Sequence, residues 1–163
     1  MSAPTTPDYS LTDHHGRPVS SSSYRGRWQL VFFGFTHCRS VCPRALGRLS
    51  SILTDLGDLA SLIQPLYITV DPDRDTPPVM RDFLRAYPAF TGLTGSPAAI
   101  DQAKRHFRVF ARRRPDLADP DGYAVPHTAI TYLLSPDGHY VAHFPDSMPP
   151  EEVTAELRRL LSN

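Results

Sequence analysis

The feature that most constrains the fold is an apolar run at residues 28–35, which leads directly into the two cysteines of the chain, Cys38 and Cys42. A continuous run of this kind predicts a central β-strand covered on both faces. After Cys42, leucine and isoleucine recur at helical spacing and stop before Gly57, which predicts an amphipathic helix from about Pro43. The cysteines therefore fall at a strand-to-helix junction. There a sulfur pair is a redox or metal site more often than a structural staple.

Length and charge indicate one neutral domain. The chain has 163 residues, with 17 basic and 17 acidic side chains and a formal charge of zero. We expect a single domain over residues 1–163, with residues 1–8 flexible, and a core large enough to form without disulfides. A neutral chain is not expected to bind nucleic acid or an anionic membrane surface.

The remaining periodic segments predict an α/β fold. An N-terminal hairpin is expected around Gly16, and Thr76 is a predicted N-cap before Pro77. The other predicted elements are a buried strand at 66–70, helices at 77–87 and 96–107, strands at 128–134 and 139–144, and a helix at 150–161. This order is typical of a thioredoxin-like fold, in which helices flank a mixed central sheet.

The spacing of the two cysteines leaves two chemistries open. Residues i and i+4 of a helix share one face, so Cys38 and Cys42 could form a disulfide or hold one soft metal ion. A helix start also stabilises the thiolate, which is the form that attacks or binds a metal. A metal would need a third ligand. His127 is the candidate, because it opens a buried strand predicted to lie near the cysteines.

Other polar residues receive less specific predictions. The loop that contains Asp71 and Asp75 is expected mainly to cap and turn the chain, although it could hydrogen-bond near the sulfurs. His37 adjoins Cys38, but neighbouring side chains at a helix start usually diverge. The remaining histidines are expected at the surface: His14, His15, His106, His139 and His143.

Together these segments resemble the Sco/SenC family of copper-binding assembly proteins, over about residues 9–161. The matching motifs are Phe-Gly-Phe-Thr-His-Cys-x3-Cys-Pro at 33–43, Val-Asp-Pro-Asp-Arg-Asp-Thr-Pro at 70–77, Gly-Leu-Thr-Gly-Ser at 92–96, and His-Thr-x3-Tyr-Leu-Leu-Ser-Pro-Asp-Gly at 127–138. The resemblance implies that Cys38, Cys42 and His127 bind copper, as Cu(I) or Cu(II). It also implies a disulfide between the cysteines when they are oxidised.

The resemblance implies a metallochaperone rather than an enzyme. Its expected partner is the copper-site subunit of a haem-copper oxidase, or another copper chaperone, and the chain is expected to be a monomer. The expected location is extracytoplasmic, with membrane attachment only through a tether that this chain lacks. The alternative is a thiol-disulfide oxidoreductase that maintains the cysteines of that copper site or of another exported copper protein, and a thiol peroxidase is less favoured.

Two departures from the family pattern lie beside the predicted ligands. Arg39-Ser40 replaces the usual Pro-Asp after the first cysteine, and Pro126 replaces the usual Asp before the histidine. Both changes remove a carboxylate near the sulfurs. They bear on copper affinity, redox potential and partner choice rather than on the fold.

Overall fold

A computed structural model describes residues 8–34, 41–107, 130–145 and 147–162, without the side chains of residues 41–43. The strands in these ranges are β1 (Ser10–Asp13), β2 (Pro18–Ser20), β3 (Trp28–Gly34), β4 (Ile63–Thr69), β5 (Thr91–Thr94), β6 (Ile130–Leu134) and β7 (Tyr140–Pro145). The helices are α1 (Val41–Leu56), α2 (Pro77–Phe83), α3 (Pro97–Phe107) and α4 (Pro150–Leu161).

The described strands form one mixed sheet with β3 near its centre. Their order across the sheet is β2-β1-β5-β4-β3-β6-β7. Strands β3, β4 and β5 are parallel, and β6 runs antiparallel to β3. The predicted N-terminal hairpin is present, with Gly16 at φ 84°, and it joins the sheet through β1 and β5.

The central strand β3 is covered on both faces, as its apolar run predicts. Leu30 and Phe32 point into a core formed with α1, α2 and α4. Val31 and Phe33 point into a second core, which includes residues of α3. Because side chains alternate along the strand, β3 packs against a core on each of its two faces and is fixed from both sides. No helix in the described ranges is long and apolar enough to cross a membrane.

Two strand predictions differ from the structure. β5 was not predicted, because its Thr-Gly-Leu-Thr sequence is short and glycine disfavours strands. β4 begins at Ile63, three residues earlier than expected, despite Pro65. The pairing of β4 with β5 covers only Leu66 to Ile68, so Pro65 lies where β4 has β3 as its neighbour but not β5.

Close packing explains why β5 carries a glycine, Gly92, in its interior. A Cβ at this position would lie 2.7 Å from Cδ1 of Leu84 and 3.0 Å from Cε of Met80. The absence of a side chain therefore lets the residues of α2 and the turn after it pack closely on the sheet.

We expect Gly92→Ala to destabilise the protein by about 1–3 kcal/mol, because the added methyl group overpacks the contact with Leu84 and Met80. Gly47→Ala is the matched control, since Gly47 lies within α1 and a Cβ there meets no atom within 4 Å. It should stabilise the helix by roughly 0.5–1 kcal/mol. Chemical denaturation measures both changes. Equal effects of the two substitutions would contradict the packing assigned to Gly92.

Candidate metal centre

The carboxyl ends of the parallel strands β3, β4 and β5 lie at one edge of the sheet, which we call the carboxyl edge. Gly34, the last residue of β3, is in register with Thr69, the last residue of β4. The N–H of Val70 donates a hydrogen bond of 2.8 Å to the carbonyl oxygen of Gly34. Because β6 is antiparallel to β3, its first residue, Ile130, lies at this edge too. The chain therefore leaves β3 and enters β6 at the same edge.

One of the three predicted ligands falls within the described residues. Cys42 is the second residue of α1, and only its backbone is described. Cys38 and His127 lie outside the described residues. Along the sequence, Cys38 comes four residues after Gly34 and His127 three residues before Ile130. The segments that carry the predicted ligands therefore adjoin the carboxyl edge, and the contacts between their side chains stay a prediction.

Two threonines fasten the acidic loop, residues 70–76, to the carboxyl edge. The hydroxyl of Thr69 accepts a hydrogen bond from the N–H of Asp71 (2.9 Å) and donates one to Oδ2 of Asp75 (2.7 Å). The hydroxyl of Thr94, the last residue of β5, donates to the carbonyl oxygen of Asp75 (2.7 Å). These four residues are buried, with exposed fractions of at most 3%. Since buried polar groups are costly without partners, these bonds hold the loop and two strand ends as one unit.

An ion pair lies within the acidic loop. Nε of Arg74 donates a hydrogen bond to Oδ2 of Asp71, whose side chain is fully buried. The carbonyl oxygen of Asp71 also accepts the backbone N–H groups of Arg74 and Asp75, at 3.3 and 3.0 Å. The turn-forming role predicted for this loop is therefore observed. Its anchors Thr69 and Thr94 were not singled out, although a threonine that ends a buried apolar strand is a usable signal.

Helix starts add positive potential at the carboxyl edge. Each of the helices α1 to α4 follows a strand that ends at this edge, namely β3, β4, β5 and β7. The N-terminus of a helix carries a partial positive charge and unpaired N–H groups, so it favours an anion nearby. The four helix starts therefore favour thiolates at this edge.

The described histidines lie outside this edge. His14 is half-buried rather than at the surface as predicted, and its Nδ1 accepts the N–H of Gly92 (2.8 Å). Burial lowers the pKa of His14. His15, His106, His139 and His143 are exposed, as predicted. Within the described residues, no group of three His, Cys, Asp or Glu side chains could hold a metal ion. Further residues that the sequence singles out lie outside the described ranges: His37, Arg39, Ser40 and Pro126.

Comparison with known proteins gives one consistent family. The family model described as SCO1/SenC matches residues 1–162. The mitochondrial SCO2 homologue of Bos taurus is 41% identical over 155 residues, which cover 93% of this chain and 58% of the relative. The chain thus spans little more than half the length of that curated relative.

Solved structures of similar proteins include copper-bound forms. ScoI of Bradyrhizobium japonicum with copper bound is 40% identical, with a TM-score of 0.83 over 93% of this chain and 96% of that chain. Yeast Sco1 with copper bound is 27% identical, with a TM-score of 0.89 over 99% of this chain and 90% of that chain. The predicted thioredoxin-like fold is confirmed by this likeness, and the chain belongs to the SCO1/SenC family.

Proposed function

We propose that this protein is a copper metallochaperone that carries its cargo on Cys38, Cys42 and His127. The observation that carries the proposal is the carboxyl edge, because β3 ends and β6 begins there, beside the start of α1. The sequence puts two sulfurs after the first of these points and an imidazole before the second.

The chemistry of this donor set fits copper. Thiolates select Cu(I), whereas imidazole also suits Cu(II), so two sulfurs and one nitrogen can hold either oxidation state. The first turn of α1, which contains Cys42, favours the thiolate form that a metal requires. Zinc would prefer a fourth ligand, so it fits this set less well.

The family suggests the destination of the copper. Relatives have been solved with copper bound, and mitochondrial relatives are among the most similar curated proteins. We infer that the protein acts as a monomer outside the cytoplasm. There it delivers copper to the copper-site subunit of a haem-copper oxidase, directly or through another chaperone. Arg39, Ser40 and Pro126 are expected to tune affinity and partner choice, since the usual family pattern has a carboxylate at the second and third of these positions and a proline at the first.

A second candidate is a thiol-disulfide reductase that keeps the cysteines of the same copper site reduced. It is favoured by the position of Cys42 in the first turn of a helix, which lowers the pKa of a thiol. The spacing of three residues between the cysteines differs from the two-residue spacing of most such enzymes. Copper stoichiometry of the reduced protein separates the two candidates.

We expect the reduced protein to bind one Cu(I) per chain. Cys38→Ala or Cys42→Ala should each remove tight binding, because one thiolate and one imidazole leave too few ligands. Anaerobic titration against a competing chelator measures the affinity. Wild-type affinity in either variant would contradict a shared site.

His127→Ala should weaken Cu(II) binding more than Cu(I) binding. Two thiolates alone can hold Cu(I) linearly, whereas Cu(II) prefers the added nitrogen. The two affinities are compared by chelator competition and by the Cu(II) absorption spectrum. Equal losses for both ions would indicate that His127 is not a direct ligand.

Thr69→Val should destabilise the protein by about 1–3 kcal/mol, because it leaves Asp75 Oδ2 and the N–H of Asp71 without this hydroxyl in a buried place. Thr69→Ser keeps the hydroxyl and is the matched control. Urea denaturation gives both stabilities. If the valine variant is no less stable than the serine variant, the hydroxyl does not anchor the acidic loop.

A further inference from the structure

The imidazole of His14 fastens the N-terminal hairpin to β5. The backbone pairing of β1 with β5 runs as far as Asp13, which lies opposite Leu93. One residue past this pair on each strand, the side chain of His14 takes over from the backbone, since its Nδ1 accepts the N–H of Gly92 at 2.8 Å. His14 therefore adds the last hydrogen bond to the junction between β1 and β5.

The bond lies in a confined and largely apolar place. Nδ1 of His14 is 3.5 Å from the position that a Cβ on Gly92 would occupy, and the side chains of Leu84 and Met80 converge on the same position. Both apolar residues are buried, with exposed fractions of at most 4%, and His14 is half-buried. A broken bond would leave the N–H of Gly92 without this partner in a partly buried position, which costs more than the same loss at the surface.

Only the neutral ring of His14 can make this bond. In neutral imidazole one nitrogen accepts a hydrogen bond and the other carries the proton, so acceptance at Nδ1 places the proton on Nε2. The protonated ring donates from both nitrogens and has no acceptor, so its Nδ1–H would face the N–H of Gly92. Protonation of His14 and its bond to Gly92 therefore exclude each other.

The groups around the ring favour its neutral form. Burial lowers the pKa of His14 most, and His15, whose ring centroid lies 4.2 Å away, lowers it further. Arg81 of α2 acts in the same direction, while Asp13 opposes it. The carboxylate of Asp13 is already engaged by the N–H groups of His15 and Arg17. β5 contributes no titratable side chain.

We propose that His14 is an acid-sensitive latch on the N-terminal hairpin, closed onto Gly92 while the ring is neutral and open once the ring is protonated. The folded protein binds this proton less readily than the unfolded chain. The latch therefore stabilises the fold fully above the pKa of an unfolded histidine, and its contribution is lost as the pH falls below that value. The latch acts on β5 two residues before Thr94, whose hydroxyl holds the acidic loop. Copper has no part in it.

Amide hydrogen exchange of the whole chain tests the latch. Protection of the Gly92 amide, corrected for its intrinsic exchange rate, should fall roughly threefold to tenfold between about pH 7.5 and about pH 5, which is the effect of one hydrogen bond. Although burial raises it, the N–H groups of Arg17 and His15 hold the pKa of Asp13 below its usual value, so this carboxylate stays ionised over that range. Unchanged protection of Gly92 while His14 titrates would overturn the proposal.

His14→Asn removes the titration but keeps an acceptor, because the side-chain oxygen of asparagine accepts a hydrogen bond at every pH in this range. Protection of Gly92 in this variant should not depend on pH. His106→Asn is the matched control, since Nδ1 of His106 also accepts a backbone N–H, from Asp8 at 3.0 Å, but in an exposed position. It should keep the wild-type response. A wild-type acid response in His14→Asn, or its loss in His106→Asn, would place the switch elsewhere and refute the latch.

Nitrogen chemical shifts of the wild-type ring test the geometry without any substitution, so this result does not depend on how a variant folds. At neutral pH, His14 should carry its proton on Nε2 and none on Nδ1. The ring should titrate below about pH 6.5, the ordinary value for histidine. A proton on Nδ1 at neutral pH, or titration above that value, would contradict the latch.

Discussion

The fixed carboxyl end of β3 is the constraint on which the rest of the site depends. The strand is held by β4 on one side and β6 on the other, and by apolar cores on both faces. Gly34, its last residue, is tied to Val70 by a backbone hydrogen bond. The segment that carries Cys38 therefore starts from an immobile point, and the helix that contains Cys42 begins at the same edge.

The acidic loop extends this rigidity to two further strands. Thr69 and Thr94 bring the ends of β4 and β5 together on Asp75, so three parallel strands are joined by buried hydrogen bonds. A buried carboxylate is costly unless it is hydrogen-bonded or paired, and the contacts of Asp75 and Asp71 meet that cost. The network thus holds the ends of β4 and β5 in place beside the proposed site, and the helix starts supply the positive potential that thiolates prefer.

Strong periodic signals predicted most of the fold. Signals of this kind reflect local geometry and could therefore be predicted from the sequence. They are the apolar run of β3, the cap-and-proline starts of α2 and α3, and the apolar stripe of α4. β5 could not be predicted from its own sequence. Its glycine, Gly92, is required by close packing against the side chains of Met80 and Leu84, which lie outside β5. The half-buried position of His14 depends likewise on a distant partner, Gly92. For the candidate site, the sequence predicts the ligand types, and the fold brings the ends of the adjoining strands to a common edge.

X-ray absorption of the Cu(I)-loaded protein tests the central claim most directly. The account predicts two sulfur scatterers and one imidazole around each copper, with one sulfur lost in Cys42→Ala and the imidazole lost in His127→Ala. Copper bound by a single sulfur, or an unchanged imidazole signal in His127→Ala, would contradict it.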